Sequence, residues 1–155
     1  MSKPSVLWLL ALLSFPLTGM ADDHQHHQPV VDSREAIVLT AEERAMVLAE
    51  MRQFLLSVQS ITSALARGDM KTVAASAKIS GMQAAHEIPA TLRAKMPLGF
   101  RQQGMATHQA FDQMAMDAES LSDPKHSLTQ TGSLLGSCVA CHGQFRLESA
   151  TGYKK

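Results

Sequence analysis

The sequence predicts an all-α fold, an antiparallel four-helix bundle, on three observations. Four stretches carry apolar residues in steps of three and four, the spacing that gathers them on one face of an α-helix. Their ends carry start and stop residues: Thr40, Gly68, Asp69, Pro89, Pro97 and the pair Asp123-Pro124. The connections are short and no stretch shows a convincing strand alternation, so the helices must bury their apolar faces on one another.

The chain opens with Lys3, the apolar run Val6-Leu7-Trp8-Leu9-Leu10-Ala11-Leu12-Leu13, Pro16, and the small residues Gly19 and Ala21. This order reads as a secretory signal peptide over residues 1–21, cut after Ala21. The apolar run is too short to span a bilayer, so the expected mature chain is periplasmic and has no integral membrane span. Residues 22–39 read as a flexible His-rich linker, because Asp22-Asp23-His24-Gln25-His26-His27-Gln28-Pro29 is polar and without period. Clustered imidazoles at His24, His26 and His27 could hold copper or zinc loosely, but the run is read first as a solvated leader.

The helical domain is expected over residues 40–150, with residues 151–155 as a tail. Thr40-Ala41-Glu42-Glu43 matches a capping box that starts the first helix. Val47, Met51, Phe54, Val58, Ile61 and Leu65 then form its apolar stripe, which stops at Gly68. Asp69 caps a second helix running to about Glu87, before Pro89. Its inner face of Val73, Ala74, Ala77, Gly81, Ala84 and Ala85 would allow close helix approach or leave room for a large planar group. A connector from Ile88 to Met96, with a short turn, leads to Pro97 at the first position of the third helix. That helix carries Phe100, Gly104, Thr107, Phe111, Met114, Ala118 and Leu121 through about Ser122. The fourth starts at Asp123-Pro124 and sets Leu128, Leu135, Cys138, His142 and Phe145 on one side, turned toward the core.

Composition narrows the function classes. The 155 residues carry 14 basic and 14 acidic side chains, and removal of residues 1–21 takes only Lys3 from either set. With no basic stripe interleaved with aromatics, no nucleic acid is expected as a partner. No Ser-His-Asp pattern, paired carboxylates or Gly-rich phosphate loop marks a catalytic centre, so no enzyme activity is expected.

The chemistry concentrates in Cys138-Val139-Ala140-Cys141-His142, which holds the only 2 cysteines of the chain. C-x-x-C-H is the spacing of covalent haem attachment. Two thiols must reach two vinyl groups of one porphyrin while the adjacent imidazole reaches the iron. On a helix, positions 138, 141 and 142 leave from one face. A zinc site would need about four ligands, and no second C-x-x-C or H-x-x-x-H is present. A thioredoxin-like dithiol would need a preceding strand in a βαβ setting, but both flanks read as helix. A plain disulfide would leave the histidine unexplained and close too short a loop to gain much.

A secreted four-helix chain with C-x-x-C-H on its last helix resembles the class II c-type cytochromes, the cytochrome c-prime family. The resemblance covers residues 40–148, and its most specific part is Cys138-Val139-Ala140-Cys141-His142-Gly143-Gln144-Phe145-Arg146. It implies one haem c per chain, thioether bonds at Cys138 and Cys141, His142 as proximal iron ligand and Arg146 near the haem edge. It further implies redox partner proteins, and family members often form homodimers.

The family divides into high-spin members with an open iron face and low-spin members with a methionine from the first helix. Met51 lies on the first stripe between Val47 and Phe54, whereas Met46 is one residue off it. Taking the fourth helix to end at Glu148, His142 stands ~9 Å from one end of the bundle and Met51 ~15 Å, close enough for a haem between the helices. Met82, Met105 and Met114 read as packing residues, while His86 and His108 are competing ligands. The expected function is electron transfer with His142 and Met51 on the iron, since Met/His ligation closes both faces. One alternative is an open-site binder of nitric oxide or carbon monoxide. Another, of a different class, is a periplasmic metal-binding protein using His24, His26 and His27.

Overall fold

In the computed structural model, which describes residues 31–150, β1 (Glu35–Leu39) precedes α1 (Ala41–Leu65), α2 (Met70–Ile79), α3 (Met82–Ala85) and α4 (Ala90–Lys95). The chain continues through α5 (Leu98–Ser120), α6 (Pro124–Gln144) and β2 (Phe145–Ser149). The expected signal peptide, the His24, His26 and His27 cluster and the 151–155 tail lie outside the described residues.

The ends of α1 form as the sequence predicts. Thr40 Oγ1 accepts from the Glu43 amide at 3.3 Å and Glu43 Oε2 accepts from the Thr40 amide at 3.0 Å, completing the capping box. At the other end the amides of Gly68 and Asp69 donate to the carbonyls of Leu65 and Ala64, both at 3.0 Å. This closure needs a left-handed residue, and Gly68 supplies it with φ 68°. Asp69 then caps α2 by accepting from the Thr72 amide at 3.0 Å.

The expected second helix is two helices. It breaks at Ser80-Gly81, where Ser80 is fully buried and its hydroxyl bonds that of Ser57 at 2.7 Å. The Ser80 carbonyl turns away from the helix to accept from His108 Nδ1 at 2.8 Å. Gly81 lies so close to α5 that an added Cβ would stand 1.8 Å from Asp112 Oδ1, and Asp112 Oδ2 accepts from the Met82 amide at 2.9 Å to start α3. The small inner face serves close packing, with Val73, Ala74 and Ala77 buried between α1 and α5. In the third helix Pro97 is the cap, His108 and Ala115 join the buried face, and Leu121 is exposed.

Two further expectations are corrected. Residues 35–39 belong to a strand, and the last helix ends at Gln144 because Phe145 turns to extended backbone, φ −120° and ψ 150°. β1 and β2 pair in parallel from Glu35 opposite Phe145 to Leu39 opposite Ser149. Ile37 and Leu39 are buried and Val38 is exposed, the alternation of a half-buried strand. The fourth helix also faces differently. Leu128, Leu135 and His142 are exposed, and its buried positions are Ser127, Thr131 and Leu134. Thr131 can be buried because its hydroxyl donates to the Ser127 carbonyl one turn earlier, at 2.8 Å.

Packing joins the long helices in a closed order: α1 on α2, α2 on α5, α5 on α6 and α6 on α1. The larger core gathers Phe54, Ile61, Val73, Phe111, Met114 and Leu134; Phe54 stacks on Phe111 with centroids 5.6 Å apart. A smaller core gathers Ile37, Leu39, Val47, Leu92, Met96 and Phe145. Among the described residues no helix is long and apolar enough to cross a membrane.

Candidate functional site

The C-x-x-C-H residues occupy the end of α6, with His142 in its last turn. Asp123 begins that helix by accepting from the Lys125 amide at 2.9 Å, with Pro124 in its first turn. Cys138 and Cys141 are half-buried free thiols. Burial pushes both thiols up from the ordinary cysteine value, and the neighbouring Cys138 adds to the effect at Cys141. Their place near the C-terminal, electronegative end of a helix acts in the same direction. Reactive dithiols have the opposite setting, a helix N-terminus or nearby cations that favour the thiolate. This pair therefore stays in the neutral thiol form at neutral pH.

Met51 and the motif meet at one cleft of about 270 Å³. Val47, Leu48 and Met51 line it from α1, Cys141 and His142 from α6, and Phe145, Arg146 and Leu147 from β2. Phe100 adds an aromatic wall from α5, and its ring meets that of Phe145 edge to face with centroids 5.5 Å apart. Arg34 and Arg44 complete the lining. Four of the five residues singled out from sequence thus face one space: Met51, Cys141, His142 and Arg146. The fifth, Cys138, lies one turn back on α6 and is not among the lining residues.

Met51 has a particular position in this arrangement. It is half-buried and packs against both the larger and the smaller core, so it stands where the two meet. Met46 is part-exposed and lines a different cleft beside Phe54 and Glu87. Met114 is buried in the larger core, and Met82 and Met105 do not line the candidate cleft. His86 is exposed at the end of α3. His108 is committed elsewhere: Nδ1 lies 2.8 Å from the Ser80 carbonyl, Nε2 lies 3.2 Å from Glu50 Oε1, and the ring packs on Phe54. A carbonyl and a carboxylate are both acceptors, so this setting favours the ring with hydrogen on both nitrogens. Burial works against that charge, but the bonds to Glu50 and Ser80 outweigh it and raise the histidine above its ordinary value.

The donor set of the cleft suits a haem. Its lining is apolar and aromatic, a methionine and a histidine belong to it from two different helices, and Arg44 adds a guanidinium group that can receive a carboxylate. Two free thiols three residues apart on a helix are the groups that could form covalent links to such a macrocycle. Among the described residues no three His, Cys, Asp or Glu side chains gather where they could hold a bare metal ion. A haem iron makes no such demand, because the porphyrin nitrogens already fill most of its positions.

Sequence reasoning missed Arg34 and Arg44, and with them the contribution of β1 and β2. The signal for β1 was the unbroken apolar run Ala36-Ile37-Val38-Leu39, rich in β-branched residues. Arg44 lies two turns before Met51 on the same helix, a position that the apolar stripe does not mark. Compared with protein-family models, curated proteins and solved structures, the chain finds no match in any of the three.

Proposed function

We propose that this chain is a periplasmic c-type cytochrome that carries electrons through one haem c held between α1 and α6. Cys138 and Cys141 would bond the macrocycle, His142 would be the proximal iron ligand and Met51 the distal one. The observation that carries this reading is that Met51 and His142, 91 positions apart in sequence, line the same cleft from different helices. The group would supply a one-electron couple, and Met/His ligation raises its potential.

The side chains of the chain would do the rest. Val47, Leu48, Phe100, Phe145 and Leu147 keep water from the iron's surroundings. Arg44 offers a cationic partner for a carboxylate of the group, while Arg34, bonded to the His142 carbonyl, and Arg146, paired with Glu148 at 3.3 Å, add positive charge beside it. Leu135, Leu128 and Val139 share a sector of about 60° with His142 at 100° per residue, and all are exposed. Leu135 and Val139, within about two turns of His142, form an apolar patch that a macrocycle attached to this helix would help to cover.

The antiparallel four-helix bundle belongs to the same proposal. It is supported by side-chain ties that run in opposite sequence order on neighbouring helices. Lys78 pairs with Glu119 and the Met82 amide with Asp112; Gln130 bonds Asp117 and Gln144 bonds Gln103. The redox partners and a homodimer stand as expectations of the family resemblance.

Replacing Met51 with Ala tests the ligand assignment. The oxidised variant should lose the long-wavelength sulfur-to-iron charge-transfer band, become high-spin and bind carbon monoxide when reduced. An unchanged low-spin spectrum means that another residue holds the distal face, and a high-spin wild type that binds gas freely favours the open-site reading.

A further inference from the structure

The strand pair lies beside both helices that bear the proposed ligands. β1 is separated by one residue from α1, which carries Met51, and β2 follows directly from α6, which carries Cys141 and His142. Parallel pairing therefore ties the start of one ligand helix to the end of the other. Ile37 and Leu39 of β1 and Phe145 of β2 build the smaller core with Val47, Leu92 and Met96. Met51 and Cys141 both pack against that core. A polar tie adds to it: Arg34 Nη1 donates to the main-chain carbonyl of His142 at 3.3 Å. That carbonyl is among the last of α6, which have no partner within the helix.

We infer that residues 34–39 act as a clasp that holds the C-x-x-C-H end of α6 in position relative to Met51, with Ile37 and Arg34 as positioning residues. The inference deepens the proposed function and rests on it for the part that concerns the iron. The clasp itself is a statement about α6 and is testable whether or not a haem is attached. Without β1, the last turn of α6 would lose its apolar backing at Cys141 and its polar tie at His142. The iron would then keep its covalent links and lose Met51 more readily, because only the distal bond depends on the spacing between helices.

The test uses the exported full-length chain as purified, with Ile37→Ala and Arg34→Ala compared with wild type. Amide hydrogen exchange in the last turn of α6 and in β2 should rise by at least about tenfold in Ile37→Ala, while exchange at Leu134 stays near the wild-type rate. Arg34→Ala removes a surface side chain outside both cores, and should give a smaller rise confined to the same turn. In haem-loaded protein Ile37→Ala, at a position that does not line the cleft, should keep the covalent group while its sulfur-to-iron band weakens and carbon monoxide binding appears. Wild-type exchange at the end of α6 in both variants would overturn the clasp, as would a uniform rise throughout α6. If the exported wild type carries no haem, the proposed function falls and the exchange measurement still decides the clasp.

Discussion

Met51 and His108 differ in what their surroundings leave them free to do. Met51 is unbranched, half-buried and placed where two cores meet, so its thioether can turn into the cleft without leaving a polar group behind. Met46 provides the control: Met46→Ala should leave the spectrum unchanged, whereas Met51→Ala should abolish the sulfur-to-iron band, as read by absorption of matched samples. His108, in contrast, is buried with both nitrogens bonded, and against the cost of burial its bonds to Glu50 and Ser80 favour the protonated ring. Its folded-state value is raised, so its stabilising contribution is complete below the unfolded histidine value of about 6.5 and is lost as pH rises through the folded value. Thermal midpoints should therefore fall as pH rises through and above neutrality, and His108→Gln should flatten that dependence; an equal fall in the variant would contradict the assignment. The sequence marked Met51 through its stripe but left His108 as a competing ligand. Only the fold shows that Ser80 and Glu50 already occupy its ring.

At the scale of elements, the helices were legible wherever a local rule governs and illegible where a distant contact does. Thr40, Gly68 and Asp69 act on amides or carbonyls within a few residues, and each performs its expected role. Thr40→Ala should therefore cost about 1 kcal/mol in urea unfolding, the usual worth of an N-cap. The break at Ser80-Gly81 depends on Ser57, His108 and Asp112, none of which is near it in sequence. Gly81→Ala would drive a methyl group into Asp112 and disturb its bond to the Met82 amide, at a cost of about 1–3 kcal/mol. A loss below about 0.5 kcal/mol in the same assay would mean that α3 and α5 separate easily. The buried face of α6 was misread for a related reason. Leucines seven apart attract attention in sequence, but Ser127 and Thr131 are the residues that go inside. β1 carried a local signal in Ala36-Ile37-Val38-Leu39, but the pairing of the two strands could not be read, since each finds its partner more than 100 residues away.

For the whole molecule, the closed order of helix contacts and the strand pair bring the first and last described elements to the same place. The candidate cleft lies there, with walls contributed by α1, α5, α6 and β2 and cations from Arg34, Arg44 and Arg146. Sequence alone supplied the proposed chemistry, because C-x-x-C-H is local, and the places where most helices start and stop, because their caps are local too. It could not supply the strand pair or Arg34, whose relevance to the motif exists only after the two ends of the chain meet. Electron transfer at this cleft, as proposed, depends on a macrocycle bonded to Cys138 and Cys141. The most direct measurement is the intact mass of the exported chain made in a host competent for cytochrome maturation, with Cys138→Ala, Cys141→Ala as its double-variant control. Wild type is expected to exceed the mass of its processed polypeptide by one haem, and the double variant to match bare polypeptide. A wild-type chain that is fully exported and processed yet carries no added mass would contradict the proposal.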